Sequence, residues 1–233
     1  METVAERLAT VRAAIKGAAG RCGRDPHGIT LLAVSKGQPA AKIGEAIAAG
    51  QTIFGENYVQ ELSAKRHSLD LISQAHSPVV EWRFTGHLQR NKVKEVVPLV
   101  TWIETVDSLR LAEAVQAKAG RPINCCIEVN IGNDAAKRGV RPEAVRILVS
   151  AVAELPLLKL RGLMCIPPFC ADPEASRPHF RRLAGLLAEI NMAKVYPSPL
   201  TELSMGMTND FEVAIEEGAT IVRVGTGIFG ERQ

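Results

Sequence analysis

Lys36 closes a run of seven residues with buried-strand character, Ile29-Thr30-Leu31-Leu32-Ala33-Val34-Ser35, and is followed by Gly37-Gln38-Pro39. An ammonium at the end of an apolar strand must be paired, solvated or lowered in pKa, because burial disfavours its charged form. It either snorkels to water or becomes a nucleophile for carbonyl compounds. Near the other end of the chain, Ser204-Met205-Gly206-Met207 and Gly225-Thr226-Gly227 combine hydroxyls with glycines. Loops of that composition either make tight turns or expose backbone N–H groups that cradle an anion. Arg223 precedes Gly225 by two positions, and an inward-pointing arginine needs an acceptor, either the Glu202 carboxylate or an atom of a ligand.

The elements that must position these groups alternate. Val4, Leu8, Val11 and Ile15 recur at helical spacing, so the chain opens with an amphipathic helix that Gly20 stops. Strands are expected over residues 29–35, 52–54, 79–85, 100–106, 123–131, 158–166, 201–204 and 220–224. Helices are expected over residues 40–49, from about 91, over 109–119, from Pro142, and over 175–193 and 210–217. Asp107-Ser108 supplies an N-cap, Pro142 a first helical position, and Gly50 and Gly218 the stops. Eight strands separated by helices build a parallel sheet, and eight such units close into a barrel of about this length. Open doubly wound sheets usually stop at about five or six strands. The expected architecture is a single domain, residues 1–233: a (β/α)8 TIM barrel with an extra N-terminal helix. The irregular stretches 75–78 and 167–173 read as long barrel loops.

In such a barrel the segments just past the strand ends supply the site. Those segments hold Lys36, Asn57, His87, Asp107, Asn130, Pro167, the Ser204–Met207 stretch and Gly225-Thr226. Closure pairs strand eight with strand one, which sets the lysine beside the candidate phosphate cradle. An amine next to an anion site is the arrangement that pyridoxal 5′-phosphate (PLP) requires.

Composition narrows the classes. A net charge of +3, with basic and acidic residues interspersed, gives no support to nucleic-acid binding. Five cysteines without a C-x-x-C pair fit reduced thiols and no disulfide framework. Neither a charged leader with a cleavage site nor a membrane-length apolar run is visible, so the expectation is a cytoplasmic protein without membrane or metal partners.

Six ordered segments carry a more specific signal: Leu32-Ala33-Val34-Ser35-Lys36, Phe54-Gly55-Glu56-Asn57-Tyr58-Val59-Gln60-Glu61, Trp82-Arg83-Phe84-Thr85-Gly86-His87-Leu88-Gln89-Arg90-Asn91-Lys92, Arg161-Gly162-Leu163-Met164, Leu203-Ser204-Met205-Gly206-Met207 and Val222-Arg223-Val224-Gly225-Thr226. Together they closely resemble the YggS/PROSC family of pyridoxal phosphate homeostasis proteins, similar in fold to the N-terminal barrel of alanine racemase. The resemblance implies that Lys36 carries PLP as a Schiff base and that Ser204, Gly225 and Thr226 hold the phosphate. It implies further that Arg223 faces the pyridine nitrogen, that Asn57 lies beside the ring and that Met164 lines the pocket. The chain departs from the family at Gly37, where many relatives have threonine, and in the Asn130–Gly139 loop, where Lys137 reads as a solvated loop charge.

Two functions from different classes follow from the resemblance. One is a non-catalytic carrier or regulator that stores and delivers PLP to PLP-dependent apo-enzymes, acting as a monomer. The other is a PLP-dependent amino-acid racemase, which needs a second acid/base on the opposite face of the cofactor. Only Tyr58 and Tyr196 exist as tyrosines, neither in a matching motif, and His87 is the remaining candidate. The carrier reading is preferred. An aldolase-type Schiff base on Lys36 is a weaker third reading.

Overall fold

A computed structural model describes residues 2–72, 79–134 and 136–231. Its centre is a closed barrel of eight parallel strands in sequence order: β1 (Thr30–Val34), β2 (Ile53–Glu56), β3 (Glu81–Phe84), β4 (Trp102–Val106), β5 (Ile123–Val129), β6 (Leu158–Cys165), β7 (Glu202–Met207) and β8 (Ile221–Val224). Closure runs through the β1–β8 seam, where Thr30, Leu31, Leu32 and Ala33 face Ile221, Val222, Arg223 and Val224 in register. The helices are α1 (Val4–Arg21), α2 (Ala40–Ala48), α3 (Val59–Ile72), α4 (Val93–Val96), α5 (Leu109–Lys118), α6 (Pro142–Ala153), α7 (Arg177–Met192), α8 (Phe211–Glu216) and α9 (Thr226–Phe229). The expected barrel with its extra N-terminal helix is therefore the observed fold. The loop anticipated at residues 75–78 lies outside the described residues.

Local sequence accounts for the main helix starts. Thr3 and Glu6 form a reciprocal capping box at α1. Ser108 accepts from the Leu111 N–H at α5, and Pro142 sits at the first position of α6. The apolar face of α1, with Val4, Leu8, Val11 and Ile15, is buried. This helix packs on α8, α9 and α2, so it fills the outer layer behind the seam, where the four-residue α9 is too short to do so.

Between barrel and helices lies a continuous apolar layer, whereas the lumen combines apolar side chains such as Leu32 and Met164 with paired charges. Arg83 pairs with Glu104 at 3.2 Å and with Glu81 at 2.6 Å, and its guanidinium stacks 4.2 Å from the Trp102 ring centroid. Higher in the lumen Arg223 donates to the Ser204 hydroxyl and the Cys165 carbonyl, both at 2.8 Å. Glu202, the alternative partner expected for Arg223, instead accepts from Thr220 at 2.7 Å and Thr201 at 3.0 Å. No helix among the described residues is long and apolar enough to cross a membrane.

Candidate functional site

A cavity of about 290 Å³ opens at the carboxyl ends of the strands, the face on which barrels of this kind build their sites. Five of the seven residues expected in the site line it: Lys36, Asn57, Arg223, Gly225 and Thr226. Val34 and Thr85 add to its walls, Ile166, Pro167, Pro168 and Phe169 form an apolar flank, and Thr208 and Asn209 come from the loop after β7.

Each side chain reaches the cavity for a local reason. Lys36 lies on a turn closed by the Gln38 N–H to the Ser35 carbonyl at 3.0 Å, with Gly37 in the left-handed region at φ 69°. Asn57 follows β2 and accepts from the Thr85 hydroxyl at 2.9 Å. Gly86 lets that corner close, since a Cβ there would stand 2.2 Å from the Asn57 carbonyl oxygen. Arg223 points inward by strand alternation, shared with Gly225 two residues on. At Gly225 a Cβ would stand 3.1 Å from the Val34 carbonyl oxygen, which is how closely the ends of β8 and β1 approach beside Lys36.

The anion end of the cavity differs in one respect from the sequence expectation. Strand β7 runs on to Met207, three residues past the expected end at Ser204. Ser204 is fully buried and faces the lumen, where it orients Arg223. Met164, its Cα partner on β6, is fully buried as well. Neither lines the cavity, whose walls instead include Thr208. The Thr208 hydroxyl lies 3.1 Å from that of Thr226 and accepts from the Gly227 N–H at 3.4 Å. Hydroxyls and amides at the end of a glycine-rich strand make a cradle for an anion.

Asp210, the acidic residue of the lining, is occupied: it accepts from Ser176 at 2.8 Å and from the Met207 N–H at 2.7 Å. Glu128 lies near Arg223, and burial pushes its carboxyl above the usual range, with Asp107 adding to the rise and Arg223 and Arg138 opposing it. An amine, a guanidinium and two hydroxyls facing one cavity suit an anionic ligand bearing an electrophilic carbonyl.

Other candidates lie outside the cavity. His87 stands 3.9 Å from Asp107 and lines a separate groove with Tyr58 and Lys92. Lys137 donates to the Pro167 carbonyl at 2.8 Å, so the expected solvated charge is tied to the loop after β6. The Tyr196 hydroxyl accepts from the Leu160 N–H at 3.3 Å.

Residues 7–233 match the model of the alanine racemase N-terminal domain. Curated relatives named pyridoxal phosphate homeostasis protein include one from Pseudomonas aeruginosa, 45% identical with 100% of this chain and 97% of the relative covered. Another, from Escherichia coli, is 44% identical over 100% of this chain and 98% of its own. The chain belongs to the pyridoxal phosphate homeostasis protein family. PipY of Synechococcus elongatus, solved with PLP bound, superposes with a TM-score of 0.84 at 38% identity, covering 98% of this chain and 100% of PipY. Alanine racemase from Corynebacterium glutamicum shares the fold, with a TM-score of 0.71 at 19% identity over 97% of this chain and 62% of the racemase.

Proposed function

We propose that this chain binds PLP covalently through Lys36 and holds it for storage, delivery or regulation within PLP homeostasis. The observation that carries the reading is the convergence of Lys36, Arg223, Thr208, Gly225 and Thr226 on one cavity. The donor set fits the cofactor: an amine for its aldehyde, hydroxyls and glycines for its phosphate, and a cation for its ring edge. The cavity volume stands at the lower end of small-ligand pockets. The names of the relatives and the PLP-bound PipY structure support the same reading.

In this arrangement Thr208, Gly225 and Thr226 take the phosphate, Asn57 lies beside the ring and Arg223 faces its nitrogen. Ser204 and Met164 act from below, Ser204 by holding the Arg223 guanidinium. PLP, when bound, supplies an aldehyde carbon and an electron-withdrawing ring. Arg223 has only donors and keeps its charge, so a ring nitrogen facing it gains no proton and the ring withdraws electrons weakly. Tyr58 and Tyr196 both lie away from the cavity lining. These features favour a carrier over a racemase, and the proposal takes PLP-dependent apo-enzymes as its recipients, a monomer as the working unit and the cytoplasm as its place.

The test is an absorption spectrum of protein loaded with PLP. A band near ~420 nm is expected, lost in Lys36→Ala; its absence from the unaltered protein would refute the reading. Loaded protein is then incubated with amino acids in D₂O. Exchange of the α-proton at ordinary enzyme rates of ~1 s⁻¹ or more would replace the carrier with a racemase-type enzyme.

A further inference from the structure

The turn that carries Lys36 is gripped on both sides by a buried ionic cluster. Lys65 on α3 is only 6% exposed. Its Nζ donates to the Ser35 carbonyl at 2.7 Å, to Glu61 Oε2 at 2.7 Å and to Glu56 Oε1. Glu61 Oε2 also accepts from the Gly37 N–H at 2.7 Å. Glu56 Oε1 accepts from the Ser35 hydroxyl at 2.7 Å. The residue before Lys36 is therefore fixed through its carbonyl and hydroxyl, and the residue after it through its amide.

Burying an ammonium with a carboxylate is costly, and a well-packed apolar pair would stabilise the same space as well or better. What the cluster adds is a fixed backbone at residues 35–37. All three donors of the Lys65 ammonium are used, and each acceptor bears on the Lys36 turn directly or through one shared carboxylate. We propose that Lys65, with Glu56 and Glu61, positions the Lys36 amine for covalent attachment of an aldehyde ligand, an inference that rests on the PLP-binding reading above. The chemical step is addition of the neutral Lys36 amine to the aldehyde carbon with release of one water. Attack of this kind is sensitive to placement, since a misplacement of about 1 Å costs on the order of 10²-fold in rate.

The experiment uses the full chain freed of PLP. Growth of the ~420 nm band after addition of PLP gives the attachment rate, and borohydride trapping gives the attached fraction. Affinity for pyridoxine 5′-phosphate, which has the ring and phosphate but no aldehyde, is measured alongside. Lys65→Met is expected to slow attachment on the order of 10²-fold while leaving pyridoxine phosphate affinity unchanged. Glu61→Ala, at a partly exposed position, removes one charge-assisted bond to Gly37 and is expected to slow attachment about tenfold. It decides the matter if Lys65→Met does not fold. Wild-type attachment rates in Glu61→Ala, or a parallel loss of pyridoxine phosphate affinity, would overturn the positioning role and leave the PLP reading standing. A missing ~420 nm band in the unaltered protein would overturn both.

Discussion

Two substitutions separate Thr208 from Ser204 as the hydroxyl that serves the phosphate. Thr208→Val keeps the side-chain volume and removes a hydroxyl at the cavity wall, next to Thr226 and the Gly227 amide. A hydrogen bond to a charged group contributes about 1.5–3 kcal/mol, and each 1.4 kcal/mol is roughly tenfold in affinity. PLP should therefore bind about ten- to hundredfold more weakly, while pyridoxal, which lacks the phosphate, should bind as before. Ser204→Ala removes an acceptor from the buried Arg223 guanidinium at 2.8 Å. Its cost is about 1–3 kcal/mol of stability, a fall in Tm of about 2–4 °C per kcal/mol at this chain length. The ratio of PLP to pyridoxal affinity should stay constant. Calorimetric titration of both ligands against both variants, with thermal melts, measures all four quantities. A collapse of the ratio in Ser204→Ala with no change in Thr208→Val would refute the placement of the phosphate end.

Gly86→Ala should destabilise the protein and weaken PLP binding together, because the added Cβ would stand 2.2 Å from the Asn57 carbonyl oxygen and 2.6 Å from its Cα; an affinity equal to that of wild type would show that the Asn57 corner is not part of the site. Glu128 has a carboxyl pKa raised by burial, so its folded state holds a proton more tightly than the unfolded chain and stability falls as pH rises above the unfolded value of 4.5. Glu128→Gln should therefore be more stable than wild type at neutral pH, with the difference vanishing below the unfolded value in pH-dependent urea melts. Burial pushes the Cys125 and Cys165 thiols up to about 12 and raises Cys126 well above the ordinary thiol value, so iodoacetamide at pH 8 should label Cys22 and Cys170, which are exposed. Because Cys170 lines the cavity, bound PLP should slow its labelling and leave Cys22 unaffected, as read by peptide mass analysis.

Much of the architecture was legible because it rests on short-range patterns. Alternation along Ile221–Val224 put Arg223 and Gly225 on one face, and barrel closure put them beside Lys36; both hold in the structure. The end of β7 was not legible from Gly206. A glycine after Leu203-Ser204 reads as the start of a loop, yet Gly206 sits inside the strand at φ 90°. A Cβ there would approach the Ala214 Cβ to 2.6 Å and the Phe211 Cα to 2.8 Å. It is glycine both because its backbone takes a left-handed φ within the strand and because α8 presses against it. The register slips between Ser204 and Met207 as a result, and the first hydroxyl past the strand is Thr208. The signal available was the pair of methionines, Met205 and Met207, that flank Gly206. Lys65 was hidden for another reason: a glutamate and a lysine four residues apart, as Glu61 and Lys65 are, ordinarily belong to a solvated helix face and carry no site signal. Only the docking of α3 against β2 and α2 turns the Lys65 ammonium inward, to the Ser35 carbonyl.

The two ends of the cavity are held by different physics. At the phosphate end the glycine backbone is closely packed: the site of a Cβ at Gly225 lies 3.1 Å from the Val34 carbonyl oxygen, and that at Gly227 lies 3.0 Å from the Val224 side chain and 3.1 Å from the Thr208 methyl. Small residues have few rotamers to freeze, so this end is ordered before any ligand arrives. Helix α1 backs it from outside, with Val11 beside Gly227. At the amine end the Lys36 turn relies on charged side chains of β2 and α3. On the proposed reading, retention of a phosphorylated ligand and its attachment to Lys36 are thereby separable. A protein that must hold a reactive aldehyde and give it up can then break the covalent bond without first losing the ligand, because the phosphate end keeps its grip while the amine lets go.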